Sequence, residues 1–133
     1  MNKFKYFMLI AIVTVIWLSI SACKGTSNND DVIDVNLSNT VWRSNTFGNV
    51  EIRFTSDKTF ENWSSFMGPV SIDEKGTYVK RGSTATLTYT EIISPKTEMR
   101  VGDKDTFILT SNTTATVDWT RFGYYPFAFT RVE

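Results

Sequence analysis

From residue 40 to the C-terminus, apolar and polar residues alternate in short runs separated by turn-forming residues. In VEIRFT (50–55), Val50, Ile52 and Phe54 share one face, and Glu51, Arg53 and Thr55 share the other. A period of two is the signature of a half-buried strand. The same reading covers TVWRS (40–44) and TFENWSSF (59–66), with SDK turning the chain between the second and third runs through Asp57. MGPVSIDEKG (67–76) reads as a longer loop bounded by Gly and Pro. GTYVKR and STATLTYTEII form a hairpin about Gly82, with Ala85, Leu87 and Tyr89 on one face and Thr84, Thr86, Thr88 and Thr90 on the other. EMRV leads through Gly102-Asp103-Lys104 into DTFILTS. SNTT then turns into ATVDWTR, where Ala115, Val117 and Trp119 share a face, and PFAFTRV closes the chain. About eight short strands are predicted, and no helical period.

A sheet of that many strands has to close or fold onto another sheet to hide its apolar face and its edges. Near-uniform short connections favour an all-β, up-and-down antiparallel barrel, with a β-sandwich as the alternative. Alternation places Trp42, Ile52, Phe54, Phe60, Tyr78, Leu87, Tyr89, Phe107, Leu109, Val117, Trp119, Phe127 and Phe129 inside. In a barrel of eight strands such residues either fill the interior or line a pocket for one small ligand. Phe54, Tyr78, Tyr89, Phe107, Trp119 and Phe127 are the candidate ligand-contacting side chains.

The first thirty residues follow another pattern. Lys3 and Lys5 precede an apolar run from Tyr6 to Ile20, too short for the roughly 20 residues of a spanning helix. Small residues then lead into Cys23, the chain's one cysteine, and a polar tract follows. Basic start, apolar core and small-residue end are the parts of a secretory signal. Ile20-Ser21-Ala22-Cys23 resembles the lipobox of bacterial lipoproteins. The resemblance implies cleavage before Cys23, acylation of its thiol and new amine, and anchoring to membrane lipid. A thiolate is the side chain suited to alkylation. Lys24 stands where aspartate favours inner-membrane retention in enterobacterial lipoproteins, so the resemblance implies the outer membrane of a Gram-negative envelope. The expected organisation is a signal peptide (1–22), a lipidated cysteine and flexible tether (23–36), and one folded domain (37–133).

Charge and composition remove several function classes. Without the leader's two lysines the chain carries a net charge of −2, which offers no basic field to nucleic acid. A lone cysteine, once lipidated, leaves no intramolecular disulfide. The absence of histidine removes the main residue of zinc and acid–base chemistry. Asp103 and Asp105 could chelate calcium, but Lys104 lies between them and a turn explains the motif, so no metal or other cofactor is expected. Glu51, Glu61, Glu91 and Glu98 fall mostly on the outward face, which argues against a glycosidase pair and for a non-enzymatic protein.

The series W…VEIRFTSDKTFENW…GTYVKRGSTATLTYTE…FILTSNTTATVDWTR…FAFTRV is similar to the small lipocalin-like domains of Gram-negative lipoproteins. In lipocalin-type barrels a first-strand tryptophan plugs one end and an arginine from the last strand packs across it. Trp42 and Arg131 occupy the matching places, with Thr40 where the family motif has glycine. The resemblance implies an envelope lipoprotein that binds a small hydrophobic or aromatic ligand. The competing reading is an interaction or inhibitor module with a filled core, docking an envelope protein through loops 66–76 and 121–126 and through aromatics such as Trp63, Tyr124 and Tyr125.

Overall fold

Eight strands form, each close to a run of alternation: β1 (Thr40–Ser44), β2 (Val50–Phe54), β3 (Thr59–Ser64), β4 (Ser71–Arg81), β5 (Thr84–Ile92), β6 (Lys104–Leu109), β7 (Thr114–Val117) and β8 (Phe127–Arg131). The structure is a computed structural model that describes residues 33–46, 50–65, 69–94, 98–120, 123 and 125–133. Every strand pairs antiparallel with the next, and β8 returns to β1, so the sheet is a closed barrel rather than a sandwich. Closure sets Trp42 opposite Arg131 and Ser44 opposite Phe129. It also removes the open edges that would invite pairing with another chain.

The up-and-down order gives the barrel two unlike ends. Turns 55–58, 82–83 and 110–113 are tight and lie at one end, here the turn end. Connections 45–49, 65–70, 93–103 and 118–126 lie at the other, the loop end. Short Thr/Ser hydrogen bonds hold the tight turns. Ser56 Oγ accepts from the amides of Lys58 and Thr59, and Ser111 Oγ repeats this with Thr113 and Thr114.

Two sequence expectations change. Residues 71–76 are strand, not loop: β4 runs eleven residues and pairs along β3 and β5, with register shifts at Asn62/Trp63 and Lys75/Gly76. The bulges break the period of two, which is why SIDEKG does not read as a strand. The packed domain also begins before residue 37. Val35 and Leu37 are buried and Ile33 packs against the core, so the last residues assigned to the tether form a strap on the barrel. Asp34 pairs with Lys80 at 3.0 Å, a contact too exposed to contribute much. Truncation through Asn36 should cost about 2 kcal/mol, the worth of burying one valine-sized side chain. Thermal denaturation should show a midpoint about 8–16 °C lower; an unchanged midpoint would mean that the strap adds nothing. Cys23, the leader and the tether up to residue 32 lie outside the described residues.

The outer wall is charged and threonine-rich. On β1–β4, Glu51 accepts from Arg43 and Arg53, each at 2.7 Å, Lys75 approaches Glu61, and Arg53 lies 4.1 Å over the Trp63 ring. Burial alone would raise the Glu51 pKa, but hydrogen bonds from the two arginines outweigh it and hold the carboxyl below the usual range. A lipid-facing barrel carries an apolar band on its outer wall, whereas these outward side chains on β1–β4 are charged. Among the described residues no helix is long and apolar enough to cross a membrane.

Candidate functional site

The interior changes chemistry along the barrel axis. Towards the turn end it is solid aromatic packing. Trp42, Phe54, Phe60, Phe107 and Phe129 are each almost fully buried. Phe107 meets Trp42 and Phe54 edge-on at 5.2 Å and Phe129 at 6.4 Å, and Phe54 meets Tyr78 at 4.8 Å. Edge-to-face geometry at these separations is the favoured one for aromatic pairs. Three of the candidate ligand-contacting residues, Phe54, Tyr78 and Phe107, are therefore engaged with one another. The Tyr78 hydroxyl leaves the cluster to donate to Ser56 O at 2.9 Å.

Trp42 closes this end with the strap. Its Nε1 donates to Thr40 Oγ1 at 2.8 Å, and that hydroxyl donates to Leu37 O at 2.6 Å. Thr40 thus serves as the acceptor that a buried indole needs. Arg131 is the cross-strand neighbour of Trp42, but it is exposed and its Nε donates to Glu133 O at 3.0 Å. The expected stacking of this arginine on the plug tryptophan is not formed; among the described residues the cation–π contact is Arg53 on Trp63, outside the barrel. The last strand ends at Arg131, so its long side chain reaches water at the rim instead of crossing an apolar interior. A solvent-open groove of about 330 Å³ lies beside the strap, bordered by Asp34, Leu37, Asp57, Tyr78 and Lys80. It is outside the barrel interior.

Towards the loop end the interior becomes polar. Tyr89, fully buried on β5, donates its hydroxyl proton to Asp105 Oδ2 at 2.8 Å. Asn62 Nδ2 donates to the same hydroxyl at 3.2 Å. Trp119 Nε1 donates to Asp105 Oδ2, also at 2.8 Å. Glu74, buried on β4, is the cross-strand partner of Asn62 on the same inward face. Burial, then the charges of Asp105 and Glu74, push the Tyr89 pKa well above its ordinary value, so the phenol keeps its proton and acts as a donor. Phe60 packs edge-on against Tyr89 at 5.4 Å, and Trp119 packs edge-on against Phe129 at 6.0 Å and tilted against Phe127 at 4.9 Å. Tyr89, Trp119 and Phe127 of the candidate ligand set are thus brought together around a hydrogen-bonded core.

Asn62 Oδ1 is the one buried side-chain polar atom without a partner among the described residues. Buried acceptors are rarely left so. The tyrosine proton is committed to Asp105, so it does not serve Asn62.

The polar members of this cluster are not among the interior residues expected from the sequence. Phe60 inside implies Asn62 inside, and Phe107 inside implies Asp105 inside. Parity alone places both on the inward face, although neither is among the residues expected inside from the sequence. Asp105, a candidate turn calcium ligand by sequence, is buried inside the barrel, and no metal-ligating group of three is found among the described residues. Glu74 lay in the segment read as loop. The four candidate catalytic glutamates, Glu51, Glu61, Glu91 and Glu98, are outside the buried set. Tyr125 is exposed on a loop-end connection, and Tyr124 lies outside the described residues.

Comparison with protein-family models, with curated proteins and with solved structures returns no match to this chain.

Proposed function

We propose that this chain is an envelope lipoprotein, held to the outer membrane by acyl chains on Cys23, whose barrel binds a small hydrophobic or aromatic ligand at its loop end without catalysing a reaction. The observation that carries the binding half is the change of interior along the axis. A barrel serving only as a solid peg gains nothing from a buried polar network, because burying such groups costs stability unless every one is satisfied. Aromatic walls with a few convergent polar groups are the usual make-up of a ligand site. The membrane half rests on the lipobox-like Ile20-Ser21-Ala22-Cys23.

Two measurements test the halves separately. Stable anchoring needs two or more acyl chains. Cys23→Ser should therefore leave the protein uncleaved or released from membranes by a salt wash, and retention of a mature form would refute the anchor. Binding is read with N-phenyl-1-naphthylamine, a neutral aromatic probe, by fluorescence titration of the full chain. Saturable one-to-one binding is expected, with affinity reduced about tenfold in Trp119→Ala, which removes roughly 1.4 kcal/mol of stacking and burial. An absence of saturable binding would leave the second reading, an interaction module. That reading is favoured by exposed Val70, Ile93, Val101 and Tyr125, all on loop-end connections.

A further inference from the structure

We infer that the ligand enters the loop end with a nitrogen hydrogen-bond donor foremost, an ammonium group carried on an aromatic or apolar body, and that Asn62 Oδ1 receives it. The inference rests on the ligand-binding reading above and adds the chemical class of what binds.

Its starting point is the direction of each hydrogen bond in the cluster. Asn62 is 5% exposed, its Nδ2 gives one N–H to Tyr89, and its Oδ1 has no partner. Tyr89 has a single proton and gives it to Asp105. Trp119 likewise has a single N–H and gives it to Asp105. The two single-proton donors are therefore both directed at Asp105, Asn62 gives an N–H to the Tyr89 hydroxyl, and the orphan atom is an acceptor. An incoming group completes the network only if it donates.

Charge selects among donors. Glu74 faces inward directly across the strand pair from Asn62, and Asp105 lies one hydroxyl away from it. An incoming carboxylate or phosphate would bring an acceptor to an acceptor and an anion to two acidic side chains. A neutral hydroxyl would satisfy Oδ1 but gain little from the field. An ammonium satisfies Oδ1, is attracted by both carboxylates, and is compatible with the π faces of the neighbouring rings. The apolar body then lies against Trp119 and Phe127, the aromatic pair at this end of the interior. A fatty acid, the obvious hydrophobic ligand for a barrel, has the wrong head group for this site.

Three probes with one ring system separate the contributions: tryptamine (ammonium), 3-ethylindole (neutral) and indole-3-propionate (carboxylate), each titrated calorimetrically into the full chain. Tryptamine is expected to bind at least tenfold more tightly than 3-ethylindole, and indole-3-propionate more weakly than either. In Asn62→Leu the tryptamine to 3-ethylindole affinity ratio should fall towards one. Asp105→Asn keeps the side chain's shape while removing charge, and should lower the same ratio even if the leucine variant does not fold; near-ultraviolet circular dichroism checks both folds. Equal binding of all three probes, or a preference for the carboxylate, overturns the ammonium inference while leaving a ligand-binding barrel. An unchanged ratio in folded Asn62→Leu overturns the role of Oδ1. Failure of all three probes, together with failure of N-phenyl-1-naphthylamine, removes the ligand reading itself. An ordered water on Oδ1 that tryptamine does not displace also overturns the proposal.

Discussion

Gly76→Ala should unfold the barrel at a temperature about 12–24 °C below the parent. A Cβ at this position would overlap the Thr88 carbonyl oxygen and stand 2.5 Å from Phe60 Cε1. The ring could tilt, but the carbonyl belongs to the β5 backbone and cannot yield without disturbing the ladder. Overpacking of this kind costs about 3 kcal/mol, and in a domain of this size each kcal/mol is worth about 4–8 °C. The position is crowded because Gly76 sits between Phe60 on β3 and Tyr89 on β5, its cross-strand neighbours on either side. The two rings meet edge-on at 5.4 Å, with only a hydrogen atom where the strand between them would carry a side chain. The same substitution should therefore disturb Tyr89 and with it the polar cluster. A midpoint within a few degrees of the parent would show that β4 can shift at its bulge to make room.

Phe107→Ala should be at least as costly, about 3–5 kcal/mol. Phe107 is fully buried and touches Trp42, Phe54 and Phe129 at once. Its removal takes away the ring on which the turn-end packing converges, and those neighbours belong to β1, β2 and β8, strands held by closure of the barrel. They cannot all move inward, so a cavity remains. An apolar cavity of this sort stays dry and takes small apolar molecules. Saturating benzene should accordingly raise the urea midpoint of Phe107→Ala and leave that of the parent unchanged at this end. Benzene stabilising the parent equally would mean that the turn-end interior already holds a void, contrary to the packing described.

Both predictions concern residues whose roles were visible in the sequence to different degrees. Phe107 was legible: it lies within DTFILTS, and a period of two puts it inside whatever its partners are. Gly76 was not. A glycine before an alternating run looks like a loop boundary. Its actual reason is a close approach by an aromatic ring and a carbonyl from neighbouring strands, a fact about β3 and β5 rather than about β4. The strap shows the same limit. Ile33, Val35 and Leu37 alternate with Asp34 and Asn36, but the run is short and adjoins a Gly/Ser/Asn/Asp-rich stretch that reads as tether. Val35 and Leu37 are buried because the barrel's turn end presents an apolar opening just where the chain approaches β1.

The candidate site divides along the same line. Strand number and an aromatic interior were legible in the sequence alone, and its short connections favoured the up-and-down order over a sandwich. Each depends on local period or turn chemistry, and none needs a partner segment. Which inward residues touch was decided only by the tertiary structure. Asn62, Glu74, Tyr89, Asp105 and Trp119 come from five separate places in the chain, and bulges at Asn62/Trp63 and Lys75/Gly76 set the registers that bring them together. Parity could say that Asn62 and Asp105 point inward. It could not say that Tyr89 would give its one proton to Asp105 and leave Asn62 Oδ1 without a donor. Direction in a hydrogen-bond network depends on distances between atoms far apart in sequence, and a closed barrel sets those distances only when β8 finds β1.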